Sequence, residues 1–110
     1  MALFAKARFL DEPELAERAA AMLKALGNPT RLRVVALLSE RGEHSVGDLV
    51  AALGLPQAHV SQQLGILRLH KLVAVRRKGG FRHYSLAVSE LTDLLACMTR
   101  CHLITRTTAG

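Results

Sequence analysis

Two groups of residues have types and spacing that could do chemistry. In "LPQAHVSQQLGILRLHKLV", residues 55–73, neutral hydrogen-bonding groups crowd one side while Val60, Leu64 and Leu67 recur at helical spacing. An ordinary solvated helix face carries Glu and Lys. Here Gln57, His59, Ser61, Gln62 and Gln63 offer amides, a hydroxyl and an imidazole instead. Glutamine donates and accepts at once, which matches an adenine edge, while Ser and His adapt to several bases. The second group is Glu90, Asp93, Cys97 and Cys101, spaced three, four and four residues apart, with His102 adjacent. On one continuous helix that spacing makes a single stripe. Carboxylates with thiolates suit a borderline metal such as zinc, nickel or cobalt, and the thiols alone could answer an oxidant.

Helices must position both groups, and the punctuation of the chain marks them. "DEPELAERAAAMLKALGN" begins with Pro13 among acidic residues and ends at Gly27–Asn28, with Leu15, Ala19, Met22, Leu23 and Leu26 on an apolar stripe. "NPTRLRVVALLSERG" repeats the scheme, with Asn28 as N-cap and Pro29 at the first helical position. "SVGDLVAALGL" is a short helix capped by Ser45, and Gly54 turns it into the next helix, which opens at Pro56. A short helix, a glycine-bearing turn and a second helix form a helix-turn-helix. The second helix of such a pair enters the major groove of double-stranded DNA, where neutral hydrogen-bonding side chains read sequence. Arg68 and Lys71 further along fit phosphate contacts.

After residue 72 the hydrophobic period changes to two. "LVAVRRKGGFRHYSLAV" alternates through Val73 and Val75, breaks at Gly79–Gly80 and resumes at Phe81, Tyr84 and Leu86, which reads as a β-hairpin. Arg76, Arg77, Lys78 and Arg82 load its tip with charge suited to the backbone or the minor groove. A last helix, "SELTDLLACMTRCHLI", is expected from an N-cap at Ser89 through to Ile104, with Leu91, Leu94, Leu95 and Met98 as its apolar stripe. A second copy of the chain is the natural cover for that stripe and for Leu15 and Met22 of the first helix; packing of the stripe on the chain's own first helix is the alternative, and the two are compatible. His44, His70 and His83 fall on a loop, the reading helix's end and the hairpin, and read as surface residues.

The expected fold is therefore mainly α with a small β-hairpin: about five helices and a two-stranded wing, in one domain over 1–110. Residues 1–10 make an N-terminal arm or helix extension, and 105–110 a frayed tail. A net charge of +6 points to an acidic partner, and aromatics at 4% argue against stacking platforms for single strands. No run approaches the roughly 18 apolar residues of a membrane span, and the first residues lack a secretory pattern. With two cysteines close together near the C-terminus, no disulfide framework is expected. A cytoplasmic setting fits these features. No phosphate loop, metal-hydrolase His pair or nucleophile with a base is present, which argues against an enzyme. The rival class is an interaction module that binds RNA or protein, with steep salt dependence and little sequence preference.

"LGNPTRLRVVALL", then "SVGDLVAALGLPQAHVSQQLGILRLHKLV", then "VRRKGGFRHYSL" resemble, in order and spacing, the ArsR/SmtB family of winged-helix repressors over residues 15–103. The resemblance implies a homodimer built on the first and last helices, which binds an inverted repeat and lets go on sensing an inducer. The family's arsenic and cadmium cysteines sit at the start of the third helix. Here that stretch is "HSVGDL", without a thiol. The family's second metal site, across the paired last helices, falls on Val88, Glu90, Cys101 and Ile104, of which only Glu90 and Cys101 could ligate. In an antiparallel pair of last helices, Glu90 opposite Cys101 and Asp93 opposite Cys97 share nearly one register, which would assemble a variant site from two subunits. The same register brings Cys97 near its symmetry mate, so a redox bridge is the competing reading; an internal Cys97–Cys101 bridge would require the helix to distort. The third reading is structural: cysteines as small hydrophobes, and Glu90 and Asp93 as partners of the helix dipole.

Overall fold

The computed structural model describes residues 8–105; the expected features within 1–7 and 106–110 lie outside that range. The elements are α1 (Pro13–Leu26), α2 (Pro29–Arg41), β1 (His44–Ser45), α3 (Val46–Leu53), α4 (Gln57–Leu69), β2 (Val73–Lys78), β3 (Phe81–Leu86), α5 (Glu90–Thr99) and α6 (His102–Thr105). The fold is α+β.

Local chemistry explains most of the boundaries. Asn28 accepts a hydrogen bond from the Arg31 amide while Pro29 starts α2, so one residue pair ends one helix and begins the next. Ser45 and Asp48 form a reciprocal capping box on α3, each side chain taking the other's backbone N–H. Gly54 closes α3 in the left-handed region at φ 67°, a conformation that a Cβ would resist.

α2 is the central post. It packs against α1, α3, α4, α5 and β3. Val34, Val35, Leu37 and Leu38 supply its buried face. Leu49 of α3, Val60, Leu64 and Leu67 of α4, and Leu91 of α5 close around it, all at 1% exposure or less. Full burial of one such aliphatic side chain contributes about 1.5–3 kcal/mol, so this small core fixes the helices' relative rotation.

The sheet has three strands in the order β1-β3-β2, all antiparallel. The hydrophobic alternation predicts two strands. The third, two residues long, is too short to show alternation; its His44 pairs with Tyr84 and its Ser45 with His83. Gly79 and Gly80 carry φ values of 58° and 83°, as a two-residue hairpin turn with both central residues left-handed demands.

The last helix also departs from expectation. α5 stops at Thr99, and a separate short α6 follows after Arg100 and Cys101. Thr99 Oγ1 donates to the carbonyls of Leu95 and Ala96, at 3.3 and 2.8 Å, and competes for the Ala96 acceptor that the Arg100 amide would use to carry the helix onward. The next amides turn back to nearer carbonyls, Arg100 N–H to Cys97 and Cys101 N–H to Met98. Ser89, expected as N-cap, makes no capping hydrogen bond; its hydroxyl donates instead to Glu90 Oε1. Among the described residues no helix is long and apolar enough to cross a membrane.

Candidate nucleic-acid interface

With Val60, Leu64 and Leu67 locked into the core, α4 has one face left for solvent. Gln57, Ala58, Ser61, Gln62, Gly65, Arg68 and Leu69 line it, all exposed. At 100° per residue these fall on a single stripe, with Gly65 near its centre. The face carries amides, a hydroxyl and one cation, and no carboxylate.

Gln63 is not on it. Its polarity places Gln63 with the exposed hydrogen-bonding residues, but the residue is buried, at 7% exposure. Arg31 Nη1 donates to Gln63 Oε1 at 2.7 Å, and Arg31 Nε donates to the Ala25 carbonyl at 2.6 Å. One guanidinium thus ties the end of α1, the start of α2 and the middle of α4 together. A hydrogen bond to a charged group is among the stronger kinds, which suits a partly buried fastening. His59, one turn earlier, is half-buried and shares a hydrogen bond with Thr30 Oγ1 at 3.2 Å. It sits at the flank of the exposed face, with one ring nitrogen engaged by α2.

The end of α4 has an unusual residue. Leu72 N–H returns to the Leu67 carbonyl and Lys71 N–H to that of Arg68, which is the Schellman pattern. The position that normally takes glycine is Lys71, at φ 60°. Leu67 and Leu72 are both buried beneath this turn, the apolar contact that accompanies the motif.

The hairpin supplies the second cationic surface. Arg76 is engaged within the molecule: its Nε and Nη2 donate to both carboxylate oxygens of Glu43, at 2.6 and 2.9 Å. The hydrogen bond from Arg76 is the main reason the Glu43 carboxyl is held below its ordinary range; desolvation opposes it, and the charges of Arg76, His83 and Lys78 add lesser lowering effects. Arg77, Lys78 and Arg82 are exposed, and among the described residues no carboxylate pairs with them. Phe81, opposite Lys78 at the tip, is 69% exposed. Neither Phe81 nor Leu69, which is 77% exposed on the α4 face, was singled out from sequence, because an apolar residue in a patterned element reads as core.

The acidic and thiol stripe is only partly assembled. Glu90, Asp93 and Cys97 are exposed on α5, but Cys101 lies in the break before α6 and His102 begins the next helix. Among the described residues of one chain, no three His, Cys, Asp or Glu side chains are gathered as a metal site. The donors present in one protomer therefore do not form a closed set. The apolar residues assigned to a dimer contact also divide. Leu91 is 1% exposed and belongs to the chain's own core, because α5 packs on α2. Met22, Leu94 and Leu95 are half-buried against that core, Leu15 is half-buried, and Met98 lines a cleft of about 470 Å³ between α2 and α5–α6. Leu23, Leu103 and Ile104 are the more exposed hydrophobics of these helices, at 55%, 88% and 56%.

Residues 28–74 match the family model described as bacterial regulatory protein, arsR family. The chain is 44% identical over 78 residues to an HTH-type transcriptional regulator of Mycobacterium tuberculosis, Rv0081, covering 70% of this chain and 68% of that one. The solved transcriptional repressor BigR from Xylella fastidiosa is 36% identical with a TM-score of 0.77, over 87% of this chain and 98% of that one. A homodimeric winged helix-turn-helix DNA-binding domain from Mycobacterium bovis, Mb0332, is 26% identical with a TM-score of 0.73, over 97% of both chains.

Proposed function

The chain belongs to the arsR family of bacterial transcriptional regulators, and from that premise we propose that it represses transcription by docking on an inverted repeat as a homodimer. The observation that carries this reading is the exposed face of α4, rich in neutral hydrogen-bonding groups and backed by a core that fixes its rotation. Gln57, Ser61 and Gln62 read base edges in the major groove. Arg68 and Lys71 hold phosphates at the C-terminal end of α4, and Arg77, Lys78 and Arg82 of the wing reach the backbone or minor groove next door. Two copies meet through the first and last helices, where Leu23, Leu103 and Ile104 expose apolar surface. The family's repressors, and the M. bovis domain described as homodimeric, support that arrangement.

Selection from a random-duplex library tests the reading. The expected product is a palindrome whose half-sites lie about one helical turn apart. Equal binding to all duplexes would instead favour the interaction-module class, in which phosphate contacts alone supply affinity.

The inducer chemistry belongs to α5 and its end. A metal bound between two copies would take Glu90 and Asp93 with Cys97 and Cys101, His102 standing by. One feature favours the thiol alternative: the helix that an internal Cys97–Cys101 bridge would have to distort already ends at Thr99. An oxidant taking up two electrons and two protons from the thiols would alter the α5–α6 break. Cobalt(II) titration of the reduced protein separates the two. A thiolate charge-transfer band lost in Cys97→Ser and Cys101→Ser supports the metal; a featureless spectrum removes it.

A further inference from the structure

Two residues on the α4 side are the wrong ones for their own backbone, in opposite senses. Gly65 lies in the interior of α4, and a Cβ built there meets nothing within 4 Å. Alanine would fit and would favour the helix, since glycine has more backbone freedom to lose. Gly42, Gly54, Gly79 and Gly80 have positive φ to justify them, and Gly27 ends α1. Gly47 lies in the first turn of α3, inside the capping box, where a helix depends least on propensity. Gly65 has no such reason among the described residues. Lys71 is the mirror case: a Cβ-bearing residue at φ 60°, where glycine would relieve strain, with its side chain exposed and in none of the ion pairs among the described residues.

Both departures are exposed to solvent. Gly65 lies between Ser61 and Arg68 on one side of the stripe and Gln62 and Leu69 on the other, so the centre of the reading face is bare backbone. Lys71 stands just past the helix end beyond Arg68. We propose that both are DNA-positioning residues kept against the interest of the fold: Gly65 lets the duplex seat directly on the α4 backbone, and Lys71 anchors a phosphate beyond the helix terminus. The inference rests on the DNA-reading role of α4. Any side chain at 65 would lift the helix from the groove and lengthen the bonds that Ser61 and Gln62 make on either side.

The test is a pair of variants of the full chain, Gly65→Ala and Lys71→Gly, measured for Tm and for binding. The probes are the duplex that the wild type selects from a random library and a scrambled duplex of equal length. Each variant should raise Tm by roughly 4 °C, because each removes a local penalty. Gly65→Ala should bind the selected duplex at least tenfold more weakly, with little change on the scrambled one. Lys71→Gly should weaken both, and its log–log salt dependence should be shallower by about one. Wild-type affinity in Gly65→Ala, or an unchanged salt slope in Lys71→Gly, overturns the assignment of that residue. A fall in Tm would show that the residue serves the fold, and overturns it equally. If the wild type selects no duplex, the DNA reading itself fails; if it selects one and Gln62→Ala loses it while Gly65→Ala does not, only the present inference fails.

Discussion

Adjacent glutamines on one helix should behave as if they belonged to different proteins. Gln62 is exposed on the reading face of α4, and Gln63 is buried with its amide oxygen 2.7 Å from Arg31 Nη1. Truncating Gln63 to alanine removes a hydrogen bond to a charged group, worth about 1.5–3 kcal/mol, and also leaves part of a buried side chain's volume unfilled. The half-exposed Arg31 can recover some of its hydration, so a net loss of about 2 kcal/mol is expected, and a fall in Tm of roughly 10 °C. Gln62→Ala touches nothing buried and should stay within about 0.5 kcal/mol of the wild type. Binding should reverse the order. Gln62→Ala should cost about 1–3 kcal/mol on the selected duplex and lose discrimination at one base pair. Gln63→Ala, measured well below its Tm, should keep the base preference of the wild type. Thermal unfolding at fixed protein concentration and titration against single-base variants of the duplex give both numbers. A Gln63→Ala protein as stable as the wild type would refute the fastening role of the Arg31 contact. A Gln62→Ala loss that is equal on every sequence would refute base reading from this face.

Arg77→Ala should weaken binding nearly uniformly across sequences and make the salt dependence shallower by about one; an unchanged slope takes the wing out of the interface. Glu43→Gln should release Arg76 from its bidentate partner and steepen the salt slope by about one, which salt titration of the scrambled duplex reads directly. The same variant carries a pH signature. Because the Glu43 carboxyl is held below its ordinary range, the pair's contribution to stability is complete above that range and fades as pH falls through the lowered folded-state value. Glu43→Gln should therefore lose that part of the acid decline in Tm. Leu23→Glu combined with Leu103→Glu alters two exposed positions and should leave the fold intact while shifting gel-filtration elution to a monomer. Elution as a dimer would remove these surfaces from the interface.

Much of the architecture was legible because local chemistry and hydrophobic period agreed. Asn28–Pro29, Ser45 with Asp48, Gly54 and Gly79–Gly80 each mark a boundary through a capping oxygen or a positive φ, and such effects are readable without tertiary context. Gln63 illustrates how residue type can mislead. Its position, three residues after Val60 and one before Leu64, puts it on the buried stripe; its polarity suggested the opposite face, and only the Arg31 donor explains how an amide is accommodated there. Leu91 was assigned to a partner's surface because the sequence does not reveal that α5 packs on α2. The break after Thr99 has neither glycine nor proline to announce it, and the two-residue β1 has no period at all. In each case the deciding interaction comes from elsewhere in the fold, or from a hydroxyl whose rotamer the sequence does not specify.

Ser45 holds two offices: it ends β1, paired to His83 of the wing, and it caps the helix that leads into α4. Wing and reading helix are therefore joined at a single residue as well as through the core, and together they make a caliper of fixed opening. On the proposed DNA reading, the distance within one half-site from the bases read by α4 to the wing's contact is built into the protein, so inserting a single base pair there should abolish recognition. If two copies read an inverted repeat, as proposed, the contact between the chains is the element that can adjust between half-sites. Tolerance to added spacing should then follow the helical repeat of the duplex.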